Sequence, residues 1–257
     1  LESYISANNI SCEGKNLFSM MGEYSITMIK NVLNPDPEKI NEHFFVKEEL
    51  PKRPPVMCAG CSHKGIFMAL KRLNAIVTGD IGCYTLGALP PISAMDTCVC
   101  MGASVSMAHG FDKATDNEIS SRTVAVIGDS TFLHTGVNGL INSVYNNGQS
   151  TIIILDNSIT GMTGHQQNPS TGFDIRGNEV PSVNLEALCK AIGVPSVKIV
   201  DPADTFVTQK IIAEEMKKKC ISVIIAVRPC ALIPSGRCKD NIRAVVDIAK
   251  CRKCYAC

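Results

Sequence analysis

Asp129 and Asn157 each close an apolar run, and 27 residues separate them. "VAVIGDST" (124–131) carries β-branched chain into Gly128, then a lone acid, then two hydroxyls; "TIIILDN" (151–157) ends in Asp-Asn. An acid at such a place has an ordinary explanation, since Asp and Ser both cap helix N-termini. It has a second if a cation is present. Mg²⁺ takes oxygen ligands in near-octahedral geometry, commonly a carboxylate or two plus the phosphates of its ligand. A helix opening near Thr131 to His134 would aim backbone N–H groups at an anion. The interval between the two residues holds one helix and one strand, so both side chains return to the same rim. Together these groups make a socket for a magnesium-bound diphosphate.

Sulfur is the second chemistry. The chain has 13 cysteines. Cys58 and Cys61 form a CxxC pair in "CAGC", Cys83 follows "GDIG", and Cys230 follows "IIAVRP". Four thiolates suit a [4Fe–4S] cluster or a structural zinc. A zinc ribbon pairs two CxxC motifs, and this part of the chain has one; buried structural thiols are the remaining reading. The tail "CRKCYAC" places Cys251, Cys254 and Cys257 at the spacing that opens a bacterial ferredoxin run, without its fourth cysteine and proline. An odd count and CxxC clusters favour reduced thiolates over disulfides, and so an oxygen-poor cytoplasm. Cys12, Cys98, Cys100, Cys189, Cys220 and Cys238 carry no usable pattern, Cys189 reading as helix core. His63, two residues after Cys61, reads as a neighbour of the site and not as a ligand, and His109 and His134 as structural.

The elements that must position these groups are legible from Val56 onward. Apolar runs at 75–80, 123–129, 151–157, 196–202 and 221–230 read as strands buried on both faces. Helical stretches at 134–148, 184–193 and 203–220 lie between them, the first two closed by Gly. The alternation predicts βαβ units and a mostly parallel, doubly wound α/β sheet, whose ligands sit outside the carboxyl ends of the strands. "MGASVSMAHGFDKA" (101–114) is dense in small residues and fits close packing of a helix or a strand. Residues 1–54 read as a tail or linker from a preceding domain, with a short helix at Ser25–Leu33, a Pro-Asp-Pro break and the stiff joint "EELPKRPP". Residues 55–238 form the binding domain, and 239–257 a linker and the truncated start of a ferredoxin-type domain. Both ends read as boundaries within something longer.

Composition bounds the rest. With 257 residues, 45% hydrophobic and 19% charged, the chain can bury one large α/β core. A net charge of +1, with no basic run beyond Lys217–Lys219, argues against nucleic acid or a membrane surface as partner. No apolar run approaches the ~20 residues of a membrane helix, and no signal peptide is visible.

The run "GDSTFLHTGVNGLINSVYNNGQSTIIILDNSITGMTGHQ" resembles the diphosphate-binding motif of thiamine-diphosphate enzymes, and more closely that of the 2-oxoacid:ferredoxin oxidoreductases. "LDNSITGMTGHQ" and "PPVMCAGCSHKG" look most like the large subunit of the indolepyruvate branch. The likeness covers about Arg53 to Cys230 plus the cysteine tail. It departs from the commonest thiamine motif at Ser130, where a second glycine is usual. The resemblance implies the diphosphate half of a transketolase-like fold. It implies Mg²⁺ on Asp129, Asn157 and the Ile159 carbonyl, with Gly128, Ser130 and Thr131 against the diphosphate. Gly82, Cys83, Gly161 and Met162 would complete the cofactor contacts, and His165 and Gln166 would face the substrate. Cys58, Cys61, Cys83 and Cys230 would hold a [4Fe–4S] cluster beside the thiamine.

The activity so implied is oxidative decarboxylation of an aryl 2-oxo acid such as indolepyruvate. Coenzyme A takes the acyl group, and electrons leave singly through iron–sulfur clusters to ferredoxin. Thiamine enzymes also need a glutamate on the aminopyrimidine. The resemblance implies that this glutamate lies on a separate pyrimidine-binding domain, and implies a second (beta) subunit and an oligomeric assembly; in this chain Glu13, Glu23 and Glu118 sit in polar stretches. Two other readings stand: a thiamine decarboxylase or synthase without redox chemistry, which the cysteine load opposes, and a non-catalytic metal- or nucleotide-binding module, which the lack of a Walker-type Gly-x-x-x-x-Gly-Lys weakens.

Overall fold

The computed structural model describes residues 2–13, 17–18, 24–33, 54–234 and 245–252. The chain divides into two compact units, residues 1–53 and 54–257. The first holds two short helices, α1 (Glu2–Ala7) and α2 (Ile26–Leu33). Most of the joint at 48–55, the linker at 235–244, and Cys254 and Cys257 of the tail lie outside the described residues; Cys251 is exposed.

The second unit contains one six-stranded, all-parallel sheet in the order β2-β1-β3-β4-β6-β5. In chain order its elements are α3 (His63–Arg72), β1 (Ile76–Gly79), β2 (Thr97–Cys98), α4 (Ala103–Ala114) and β3 (Thr123–Gly128). Next come α5 (Asp129–Thr131), a π-helical turn at Phe132–Gly136, and α6 (Val137–Tyr145). Then follow β4 (Thr151–Asp156), α7 (Leu185–Ile192), β5 (Ser196–Val200), α8 (Thr205–Glu215) and β6 (Ser222–Val227).

Alternation along the inner strands explains the double winding. Val124, Val126, Ile153, Leu155 and Ile224 face one core with Ile66, Phe67 and Leu70 of α3 and Ile212 of α8. Ala125, Ile127, Ile152, Ile154, Val223 and Ile225 face the other, with Val105 and Ala108 of α4, Leu140 of α6 and Leu185 and Cys189 of α7. A strand covered on both faces favours apolar side chains throughout, which is why β3, β4 and β6 read as near-continuous apolar runs after a leading Thr or Ser. β5 departs from that expectation. It pairs only with β6, and Lys198 and Ile199 are exposed, because an edge strand is covered less completely.

Three further differences bear on the site. The helix expected from residue 134 starts at Asp129, directly off β3, so the acid lies in its first turn. The small-residue stretch at 101–114 is a helix, α4, whose N-cap Gly102 has φ +85° and leaves no room for a Cβ against Thr135. α3, which sequence reasoning did not pick out, follows the CxxC pair. Among the described residues no helix is long and apolar enough to cross a membrane.

Candidate functional site

The carboxyl ends of β1, β3 and β4 open on one cavity of about 110 Å³. Its wall includes Gly128, Asp129, Ser130 and Thr131 from the β3–α5 junction, and Asn157, Ile159, Gly161 and Met162 from the loop after β4. Gly82 and Cys83 enter from the turn after β1. The structure therefore gathers every residue that the resemblance assigned to the cofactor. Adjacent parallel strands do this: β3 and β4 pair from Val124↔Thr151 to Gly128↔Leu155, which brings Asp129 level with Asp156 and leaves Asn157 one residue further along the same rim.

Asp129 is 3% exposed. Its Oδ1 accepts from the Ser130 amide at 2.7 Å, its Oδ2 has long contacts from Asn168 Nδ2 and Ser170 Oγ, both at 3.4 Å, and its carboxyl also hydrogen-bonds that of Asp156. Burial pushes its pKa from 3.8 up to about 7, and neighbouring Asp156 adds like-charge repulsion. Two carboxyls together, one buried and one half-buried, with no Lys or Arg in the cavity wall, attract a cation. Asn157, also buried, offers an oxygen beside it; its Oδ1 accepts from the Ile159 amide at 3.4 Å. Hard oxygen donors at the opening of a helix fit a magnesium-bound diphosphate.

Tyr84 and Asp80 build the floor. The Tyr84 hydroxyl donates to the Ile81 carbonyl at 2.9 Å and to Thr131 Oγ1 at 3.3 Å, and burial raises its pKa well above the ordinary range. Gly128 must be glycine, since a Cβ there would stand 2.6 Å from the Tyr84 ring. Asp80 ends a Gly-Asp strand as Asp129 does, yet it faces inward, accepting from the amides of Ile81 and Gly102 at 2.8 Å and of Ser104 at 3.0 Å. It ties the turn after β1 to the start of α4.

A second cavity, of about 170 Å³, lies behind the first and is lined by Cys58, Cys61, Cys83 and Cys230 together with His63 and Asn157. Cys83 borders both cavities. The Cys230 amide donates to the Asn157 carbonyl at 2.9 Å, fixing the end of β6 to the end of β4. Burial raises the Cys61 pKa, and Cys58, Cys83 and Cys230 raise it further. Cys83 is raised by burial first, then by Cys230 and Cys58. The four sulfurs ring a space and do not converge on a point. Among the described residues no group of three or more His, Cys, Asp or Glu side chains is drawn together tightly enough for a single metal ion.

His165 and Gln166 stand apart from the first cavity. A left-handed turn at His165 (φ +64°) closes the Thr160↔Gln166 bridge, and Gln166 folds onto Thr163. His165 borders the cysteine cavity, and both residues line a surface hollow of about 680 Å³ with Phe173 and Val180. Sequence reasoning missed Tyr84, Asn168, Ser170 and Asp156, and set His63 aside. Only Asp156, next to Asn157 at a strand end, carried a readable signal.

Residues 80–226 match the model of the thiamine pyrophosphate enzyme family, C-terminal TPP-binding domain. The chain belongs to that family. It is 39% identical over 220 residues to indolepyruvate oxidoreductase subunit IorA of Archaeoglobus fulgidus, across 80% of this chain and 35% of that protein. It is 37% identical over 238 residues to the subunit of the same name from Pyrococcus abyssi, across 86% and 37%. The chain thus spans about a third of the length of these relatives. The 2-oxoglutarate:ferredoxin oxidoreductase of Magnetococcus marinus superposes with a TM-score of 0.59 at 18% identity, over 71% of this chain and 66% of that one. That likeness concerns the thiamine-diphosphate-binding fold.

Proposed function

We propose that this chain is the diphosphate-holding part of a thiamine-diphosphate-dependent 2-oxoacid:ferredoxin oxidoreductase acting on an aryl 2-oxo acid such as indolepyruvate. The observation that carries the reading is the cavity at the ends of two neighbouring strands, lined by both the buried Asp129 and Asn157. Asp129, Asn157 and the Ile159 carbonyl would hold Mg²⁺, and Gly128, Ser130 and Thr131 the diphosphate. Bound thiamine diphosphate supplies an electron sink at the keto carbon of a 2-oxo acid, from which CO₂ can depart. The chain's own work is to grip the charged end of the cofactor, to hold the cation that would neutralise it, and to keep water off it with Tyr84, Met162 and Ile159.

Four cysteines around one cavity, sharing Cys83 with the cofactor's cavity, support a [4Fe–4S] cluster as the first electron acceptor. Ferredoxin, coenzyme A and a second subunit would complete the reaction in an oxygen-poor cytoplasm. A separate domain would bring the glutamate for the aminopyrimidine and close the site, in an oligomer. His165 and Gln166, on the rim of the surface hollow, would face the substrate once that domain is in place.

Calorimetric titration of the full-length subunit with thiamine diphosphate, with and without Mg²⁺, tests the reading. Binding that requires Mg²⁺ and is lost in Asp129→Ala is expected; a wild-type protein that takes no cofactor overturns it. Iron and sulfide analysis after anaerobic preparation tests the cluster, with loss of iron expected in Cys61→Ser.

A further inference from the structure

Of the two side chains that face the cation in the reading above, Asn157 alone has chemically different ends. A carboxylate presents oxygen whichever way it turns. An amide must present its oxygen and not its NH₂, and its terminal torsion is broad and roughly two-fold, so it does not choose unaided. Asn157 has one long contact at each end. Its Oδ1 accepts from the Ile159 amide at 3.4 Å, and its Nδ2 lies 3.5 Å from His63 Nε2. An amide nitrogen only donates, so the facing ring nitrogen accepts.

His63 is built into this place. It is 4% exposed on the first turn of α3, with its ring edge-on to Tyr84 at 5.9 Å and 87°. Its main-chain N–H hydrogen-bonds the sulfur of Cys61, and its side chain borders both cavities. We propose that His63 is a positioning residue that accepts a hydrogen bond from Asn157 and thereby turns the amide oxygen toward the cation. The role rests on the reading of Asp129 and Asn157 as cation ligands. Partners behind a ligand commonly set its orientation, and their loss costs about 10–100-fold in metal affinity.

The test uses the full-length subunit in its assembled complex with saturating thiamine diphosphate. Mn²⁺ is the probe, and its free ion is followed by electron paramagnetic resonance. His63→Phe keeps a ring against Tyr84 but has no acceptor, and His63→Leu has neither. Both are expected to weaken Mn²⁺ binding about 10–100-fold. His63→Gln, whose amide oxygen reaches the place of Nε2, is expected to restore most of it. In an Asn157→Asp background the ligand has two equivalent oxygens, so His63→Phe is expected to change little. Unchanged affinity in His63→Phe and His63→Leu, a loss in His63→Gln as large as in His63→Phe, or a penalty that persists beside Asn157→Asp overturns the role of His63 alone. A wild-type complex that binds no Mn²⁺ overturns the cofactor reading, and this role with it.

Discussion

Asp129 should make cation binding pH-dependent in a way that ordinary carboxylates do not. Burial raises its pKa to about 7, so a proton competes with the metal through the neutral range. At about pH 5.5, roughly one and a half units below that value, displacing the proton should weaken Mn²⁺ binding about 30-fold, or about 2 kcal/mol. Above about pH 8 the carboxylate is ionised and the dependence should vanish. The assay is a Mn²⁺ titration of the full-length subunit with thiamine diphosphate between these limits. The titration of the cofactor's own diphosphate is measured on the free cofactor and subtracted. An ordinary aspartate would be fully ionised throughout, so a corrected affinity that stays flat down to pH 5.5 would refute the buried carboxylate on which the cavity's chemistry rests.

The same shift predicts the stability of the metal-free protein. Between 3.8 and about 7 the folded chain keeps a proton on Asp129 that the unfolded chain has released, so stability rises as pH falls through that window and drops as pH rises. Asp129→Asn should remove this dependence and stabilise the metal-free domain above pH 7 by up to about 4 kcal/mol, measured by denaturant unfolding at two pH values. Gly128→Ala would drive a methyl group into the Tyr84 ring; a loss of about 1–3 kcal/mol in stability and a weaker thiamine diphosphate affinity by calorimetry are expected. Asp80→Ala strips the acceptor from three main-chain amides, at about 1–3 kcal/mol for each one left unpaired in the interior. Its cost should appear in thermal unfolding and in cofactor affinity together, because Gly82 and Met101 flank the tie.

The central strands were readable because burial on both faces leaves a signature that few other arrangements produce. After a leading threonine, "TVAVIGD" and "TIIILDN" stay free of polar side chains until the chain reaches the rim, and the acid in each marks where the strand stops. The Asp129–Asn157 pair inherits that clarity, since two strand ends plus one crossover decide where both residues lie. The same logic places Asp80 at a strand end but does not say which way it faces. Its Gly-Asp context matches that of Asp129, but the choice between facing a ligand and tying down α4 depends on Gly102 and Ser104, more than twenty residues away. α3 was hidden for a related reason. It lacks an acid in its first turn and a side-chain cap, and it carries Gly65, where a Cβ would collide with the Pro202 carbonyl. Close approach to the loop after β5 selected a residue that local propensity disfavours. Asn168 and Ser170 reach Asp129 from an irregular loop, which has no period to read. His63 stood in view beside Cys61, and only the tertiary position of Asn157 gives it a partner.

His63, Cys83, Asn157 and Gly161 form the wall shared by the front cavity and the cysteine-lined one behind it, and the backbone of Asn157 anchors Cys230 of the latter. Such a party wall binds the histories of the two rooms together. A lineage that gave up sulfur chemistry by filling the rear room with bulkier residues would press on Cys83 and on the end of β4, and so on the tenant in front. Descendants of this architecture should therefore keep the rear room open or rebuild both.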